Sequence, residues 1–394
     1  MANLGVYVQV PFCQTKCTYC NFHTGVVSTD RFAPYIRALQ QEIASVQDFF
    51  SVEGISWPPG DGRQRLSPAQ VDTVYIGGGT PSLLDPALLS DLLRSIRDFF
   101  PCSWGEVTLE ADPETIEPEK ARQWVASGIN RISFGSQSFV DEELKAAGRM
   151  HRAADICRAV PILRDVGIRN ISFDLIAGLP KQTRHSWRHS LAETISLSPE
   201  HVSVYMLEID EGSRLGLEVL RGGTRYSARE VPSEEAMADF YELAQAELKS
   251  AGYEQYEISN WAKPGLASKH NLKYWRREPY LGFGAGAHSF SGEQRWANLH
   301  DAAAYVSAIC AGRHAIESVQ SVTPEVALEE ELFLGLRQLA GVDLARIERQ
   351  YAVDLKEKVG RLASSGMVER QGDVLRLAPA KLSVSNEVLV ELLR

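Results

Sequence analysis

Several features that would place the chain early are missing from it. No apolar run in its 394 residues reaches the roughly 18 residues that a membrane span requires. Positive charge is not in excess: 41 Lys+Arg against 51 Asp+Glu leave a formal net charge of −10. No overall positive field therefore draws in nucleic acid or an anionic membrane. The opening MANLGVYVQVPFC has neither the basic n-region nor the small-residue cleavage site of a secretory signal. Cysteine is scarce, with six in all, too few and too spread for a disulfide framework, which implies a reducing compartment. These absences point to the cytoplasm. What remains, 44% hydrophobic and 23% charged, suits one large globular domain plus a smaller one.

The chain has a strand-then-helix rhythm. β-Branched or alternating apolar runs recur at Gly5–Val10, Val71–Ile76, Glu106–Leu109, Asn130–Phe134, Asn170–Ile176 and His201–Leu207, and read as buried strands. Segments of helical period lie between them, at Arg31–Phe50, Pro86–Phe100, Glu117–Ser127, His151–Val166 and His185–Leu197. Such alternation predicts a parallel sheet with right-handed crossovers, a barrel or part of one. Ser51–Gln70 is a Pro/Gly-rich excursion that reads as a mobile surface loop. Ser233–Ala251 is a further helix, and Tyr253 to about Asn298 is irregular and rich in aromatics and Gly. Beyond about Thr323, helices at Glu325–Leu339, Leu344–Tyr351 and Leu355–Ser364, a hairpin turning at Gly372-Asp373, and a helix near Asn386–Leu393 suggest a winged helix. From Glu325 to Arg394 there are 10 Lys+Arg and 12 Asp+Glu, a balance against DNA binding, which needs clustered cations.

The unusual segments share one position. The cysteine cluster follows the first strand, GGGTP (Gly77–Pro81) the second, EADP (Glu110–Pro113) the third, GSQSF (Gly135–Phe139) the fourth and AGLP (Ala177–Pro180) the fifth. Parallel barrels build their sites at the carboxyl ends of the strands, so these segments predict one site at one mouth.

Cys13, Cys17 and Cys20 fall within eight residues. As structural cysteines they would lie on a polar loop, which is poor core material. As a zinc site they would enlist His23 in C-x3-C-x2-C-x2-H, yet structural zinc wants four closed ligands, usually from two pairs, and no second pair exists. As ligands of an iron–sulfur cubane, three thiolates leave one iron free for a small molecule. Only this last reading explains why there are three.

C-x3-C-x2-C after the first strand of an α/β barrel resembles the signature of radical S-adenosylmethionine (SAM) enzymes. In that superfamily the open iron chelates the amino and carboxylate groups of SAM, and electron transfer cleaves SAM to a 5′-deoxyadenosyl radical. The resemblance extends to the group containing oxygen-independent coproporphyrinogen III oxidase and the haem chaperone HemW. It runs through VPFCQTKCTYCNF, YIGGGTPSLL, TLEADPET, GINRISFGSQSF, LKAAGRMH, NISFDLIAGLP, HNLKYW, YLGFGAGAHS and LSVSNEVLVELL, nearly the whole chain. The fold it implies is α/β: a partial (β/α)6 TIM-like barrel over residues 1–230, a flanking segment over 231–320, and a C-terminal winged-helix-like α+β domain over 321–394.

It also implies a site. A [4Fe–4S] cluster would sit on Cys13, Cys17 and Cys20. SAM would lie against Gly78, Gly79 and Thr80, with Glu110, Gln137 and Asp174 suited to its amine and ribose hydroxyls. Arg149 would meet its carboxylate through a bidentate fork, and Tyr7 and Tyr19 would flank the cluster and adenine. For Glu110 and Asp174, capping or a buried pair with a barrel cation is the alternative; Gln137 and Arg149 also admit a purely structural role.

Two functions fit. The oxidase resembles C-x3-C-x2-C-x-C with a long N-terminal arm; here Phe22 stands at the extra cysteine's position, and about four residues precede Gly5. Both departures favour the chaperone branch, which hands haem to acceptor haemoproteins, with respiratory enzymes suspected from the family. HNLKYW, His270 to Trp275, matches the H-N-x-x-Y-W pattern associated with haem in that branch: His270 as axial ligand, with Tyr274 and Trp275 against the porphyrin. A core histidine with two loop-anchoring aromatics is the alternative, and His288, in GAGAHS, is the reserve ligand.

Overall fold

A computed structural model describes residues 3–52 and 70–393; of the Pro/Gly-rich excursion expected over Ser51–Gln70, residues 53–69 lie outside the described residues, while Ser51 lies in the last turn of a helix and Gln70 opens a strand. Six parallel strands form the body of one sheet: β1 (Asn3–Val10), β2 (Gln70–Gly78), β3 (Cys102–Ala111), β4 (Arg131–Gln137), β5 (Asn170–Ala177) and β6 (His201–Met206). Helices cross between them, from Phe32–Val52 to Arg184–Leu197. The order is sequential from β1 to β6, with no pairing of β1 to β6, so the barrel is partial, as expected.

Alternation along each strand decides what faces where, because side chains of a strand point to opposite faces with period two. Val6, Val8, Val74, Ile76, Val107, Leu109, Ile132, Phe134, Ile171 and Phe173 are buried in one core with the helices. Their neighbours Tyr75, Glu110, Arg131, Ser133, Asp174, Ser203 and Tyr205 line an interior cavity instead. The barrel is therefore apolar outside and polar inside, unlike barrels filled by layers of branched apolar residues.

The stretch from Tyr253 to Asn298, irregular by sequence, extends the sheet at both edges. Beside β6 lie β8 (Asn260–Ala262) and then β7 (Glu254–Glu257). Beside β1 lies β9 (Tyr280–Phe283), parallel to it, then β10 (His288–Phe290), β11 (Gln294–Asn298) and β12 (Ile316–Ser321), all antiparallel. Among the described residues the sheet thus has twelve strands, seven neighbouring ones paired in parallel. These added strands are short, which is why apolar alternation did not reveal them.

HNLKYW closes the amino end of the barrel. It forms the helix Lys269–Trp275, whose first turn is held by a buried carboxylate: Glu106 accepts from Ser268 Oγ (3.2 Å), Lys269 N (3.0 Å) and His270 N (3.0 Å). His270 is 1% exposed. Its Nδ1 meets Thr73 Oγ1 and its Nε2 meets Tyr274 Oη, each at 2.9 Å. Lys273 pairs with Asp72 at 2.9 Å beneath β1, where a Cβ at Gly5 would press on the lysine stem. Trp275 lies under the Arg337 guanidinium at 4.7 Å, and its carbonyl accepts from Gln338 Nε2 at 3.3 Å. The helix Pro324–Arg337 is clamped further by Glu330, which bonds Arg277 and Arg295. A three-stranded sheet from Val342–Asp343, Val368–Gln371 and Val374–Leu377 with helices Leu344–Tyr351 and Lys356–Ser364 completes the winged-helix-like C-terminal part.

His270 is the keystone of that floor, and burial, with Lys273 next, draws its pKa from 6.5 to about 3. The unfolded chain takes up this proton first. Stability should therefore fall as pH drops from about 6.5 toward 3, by up to about 1.4 kcal/mol per pH unit. Urea unfolding of His270→Ala at pH 7 should show a loss of about 2–3 kcal/mol and a flatter acid limb. Unchanged stability would mean that the floor does not depend on this ring.

Candidate functional site

At the carboxyl end of the strands the barrel opens into a cavity of about 930 Å³, near the upper end of small-molecule sites. Cys13, Cys17 and Cys20 form one wall, all free and partly buried. The loop that carries them leaves β1 and is tied down at several points. Phe12–Cys13 pairs in parallel with Gly25–Val26. Thr18 N donates to Ala147 O (2.9 Å), Leu215 N donates to Thr18 O (2.7 Å), and Arg214 bonds the Lys16 carbonyl. Burial pushes the Cys13 thiol up, opposed by a hydrogen bond from Thr24; metal ligation favours the thiolate over this cost.

The glycine run of β2 first secures that loop. Gly79 N donates to Val10 O (2.8 Å) and Thr80 N to Phe12 O (2.7 Å), and a Cβ at Gly79 would overlap the Phe12 backbone. Thr80 Oγ1 also donates to Asp112 Oδ2 at 3.1 Å. Glu110 accepts from Gly78 N and Tyr75 Oη, each at 2.9 Å. Burial lifts its pKa to about 7, despite those bonds, and the nearby Asp174 and Asp112 carboxylates add to the rise. Asp174 accepts from Ser133 Oγ at 3.2 Å and is raised by burial too. Gln137, at the end of β4 after an irregularity in register, holds φ at 63°, a left-handed conformation that costs a glutamine about 1 kcal/mol or more and recurs at functional sites.

Gly78, Gly79, Thr80, Glu110, Gln137, Arg149, Asp174 and Tyr19 all line this cavity with the thiols. The structure thus gathers these residues of the expected site. Others differ from expectation. Arg149 does not offer a free fork: it pairs with Asp112, donates to Gly135 O (2.9 Å) and reaches Cys17 Sγ (3.3 Å), leaving its buried Nε without a partner. Tyr7 is absent from the lining; its hydroxyl donates to Gln9 Oε1 at 2.5 Å and its ring stacks on Tyr75 at 6.1 Å. His270, Tyr274 and Trp275 belong to the barrel floor, where both ring nitrogens of His270 are hydrogen-bonded, to Thr73 and to Tyr274.

Sequence reasoning passed over Asp112, Tyr75 and Arg131. Asp112 stands in the EADP that marked a strand end, and the other two occupy inward positions of their strands. Arg131 is 1% exposed, donates only to Thr108 Oγ1 at 3.5 Å, and among the described residues forms no ion pair. A period-two count of polar residues would have found both inward positions.

Residues 7–193 match the Radical SAM superfamily and residues 322–380 the HemN C-terminal domain. That superfamily implies a [4Fe–4S] cluster and SAM, and the residues fit them: free thiols on one wall and a desolvated carboxylate, Glu110, facing the same cavity. The "Heme chaperone HemW" of Bacillus subtilis (strain 168) is 34% identical over 388 residues, 97% of each chain. Its namesake from Escherichia coli (strain K12) is 35% identical over 291 residues, 72% of this chain and 69% of that one. The chain belongs to the HemW family of radical SAM proteins. In fold it is similar to E. coli coproporphyrinogen III oxidase (HemN), with a TM-score of 0.82 over 99% of this chain and 90% of that one, at 23% identity.

Glu110 gives a test of the site's electrostatics. Its carboxyl stays protonated in the fold up to about pH 7, whereas its ordinary value is 4.5. Wild-type stability should therefore decline as pH rises through that window. At pH 8, Glu110→Gln should be more stable than wild type by on the order of 1 kcal/mol in urea unfolding. A less stable variant would show that a cation already balances this carboxylate.

Proposed function

We propose that this protein is a haem chaperone: it binds haem and passes it to acceptor haemoproteins, respiratory enzymes among them, in the cytoplasm. Phe22 carries this reading. It is 67% exposed beside the cluster loop, where the oxidase pattern has its further cysteine, and the relatives named for haem transfer run the length of the chain. Free cysteines, and among the described residues no helix long and apolar enough to cross a membrane, agree with a reducing aqueous compartment.

In this reading Cys13, Cys17 and Cys20 hold a [4Fe–4S] cluster with one iron left to SAM. Gly78, Gly79 and Thr80 shape the wall beside it. Glu110 offers a carboxylate to the SAM ammonium, which would supply the charge its burial lacks. Asp174 and Gln137 face the ribose, Tyr19 closes the side near Cys17, and Arg149 with Asp112 orients the approach to the cluster. When bound, the cluster supplies the electron that SAM cleavage needs.

Anaerobic reconstitution should give about four irons per chain, lost when all three cysteines are replaced by Ala; stoichiometric zinc without iron would reject the centre. Haem titration should show saturable binding with a defined Soret band. With SAM and a reductant, coproporphyrinogen III should not be converted to protoporphyrinogen IX, and multiple turnovers would restore the oxidase reading.

A further inference from the structure

Four cations reach the cavity of the barrel: Lys16, Arg131, Arg149 and Arg337. Two of them are neutralised within the chain, Arg149 by Asp112 and Arg337 by Glu257 at 3.4 Å. Lys16, on the cysteine loop, is half-buried and open to solvent on one side. Arg131 differs from all three. Among the described residues it is the cavity cation that is both buried and without an ion pair.

Arg131 is the first residue of β4 and occupies an inward position. A guanidinium carries five N–H donors in a fixed fork. Here one of them reaches Thr108 Oγ1 at 3.5 Å, the long limit of a hydrogen bond, and the buried Nε has no partner. Asp174 feels the positive charge, which opposes the upward push of burial on its carboxyl. Its oxygen accepts from Ser133 Oγ instead, and it makes no ion pair with Arg131. Burying a cation without a carboxylate in contact is costly. A fold that keeps one inside its barrel leaves a place for an anion.

The depth of that place follows from register. Thr108 pairs with Arg131, and Glu110 with Ser133. Arg131 therefore lies one inward position below Glu110, about 7 Å along the strands, on the side away from the thiols. The cavity extends from the cysteines down to Asn271 of the floor helix, and its 930 Å³ is near the upper end of sites for a single small molecule. Tyr205 of β6 also lines it and is 44% exposed. An uncovered aromatic ring inside a cavity is a surface for an apolar or aromatic body.

We propose that the lower part of the cavity binds a second small molecule beneath SAM, through a carboxylate held by Arg131 and an apolar or aromatic body against Tyr205. The carboxylate forms the charge-assisted bonds that the guanidinium makes to no residue described in the chain. This site is separate from the wall read as that of SAM, and it does not rest on the haem-chaperone reading.

The test uses the anaerobically reconstituted full chain, with benzoate, its neutral isostere benzamide, and sulfate as probes. Binding is followed by isothermal titration and by the thermal midpoint, with and without SAM. Benzoate should bind saturably in the presence of SAM and raise the midpoint. Benzamide should bind at least about tenfold more weakly, the loss of one charge-assisted pair. Arg131→Met should lose benzoate binding and keep SAM binding. Arg131→Lys keeps the charge without the fork; it should weaken benzoate binding too, and it serves if the methionine variant does not fold. No saturable benzoate binding by the wild type overturns the site. So does equal binding of benzoate and benzamide, or benzoate binding that survives in folded Arg131→Met. Tighter binding of sulfate than of benzoate overturns the carboxylate class. Exclusion of benzoate by SAM, or loss of SAM binding in Arg131→Met, would give Arg131 to SAM and overturn a second ligand. Displacement of benzoate by added haem would make the carboxylate a haem propionate, and would overturn a separate molecule as well.

Discussion

Everything in this molecule is arranged around the polarity of its barrel interior. Six parallel strands turn valine, isoleucine, leucine and phenylalanine outward to the helices and tyrosine, serine, glutamate, aspartate and arginine inward. Polar side chains do not close-pack into a dry core, because each must keep hydrogen-bond partners. The interior stays open as a cavity, and its carboxylates are desolvated enough that Glu110 titrates near 7. A site for a charged small molecule follows from that lining before any single residue is assigned to it.

An open, polar barrel needs a floor, and the helix Lys269–Trp275 provides it. Glu106 fixes the helix from inside the barrel, His270 bridges Thr73 and Tyr274, and Trp275 passes the contact on to Arg337 and the C-terminal part. Within HNLKYW, histidine offers two nitrogens at the spacing of two hydroxyls, the lysine pairs with Asp72, and the asparagine reaches the lining of the cavity above.

The mouth is built by a different device. The cysteine loop has little regular structure, so its position comes from neighbours: the glycine run of β2 beneath it, Ala147 and Leu215 at its side, and the Arg149–Asp112 pair behind Cys17. Small residues matter there because a Cβ at Gly79 would meet the Phe12 backbone and one at Gly78 the Gln9 side chain. Those contacts secure the thiols against the barrel while leaving them facing the cavity, as a centre with one open iron requires.

Much of this was legible in the sequence. The alternating runs located all six barrel strands, the crossover helices fell within a few residues of their expected ends, and the cysteine spacing marked the loop that walls the cavity. These are local properties, set by side-chain period and by ligand number. What the sequence could not decide was which polar groups spend their hydrogen bonds on each other. Arg149 turned out to face Asp112, His270 to face Thr73 from 197 residues away in sequence, and His23 to meet the His300 ring. Such pairings depend on strand order and on the short edge strands, whose few residues carry no periodic signal. Local pattern determined the barrel and its chemistry; only the tertiary structure decided which imidazoles and guanidinium groups remained free, because a partner distant in sequence is brought near by the fold alone.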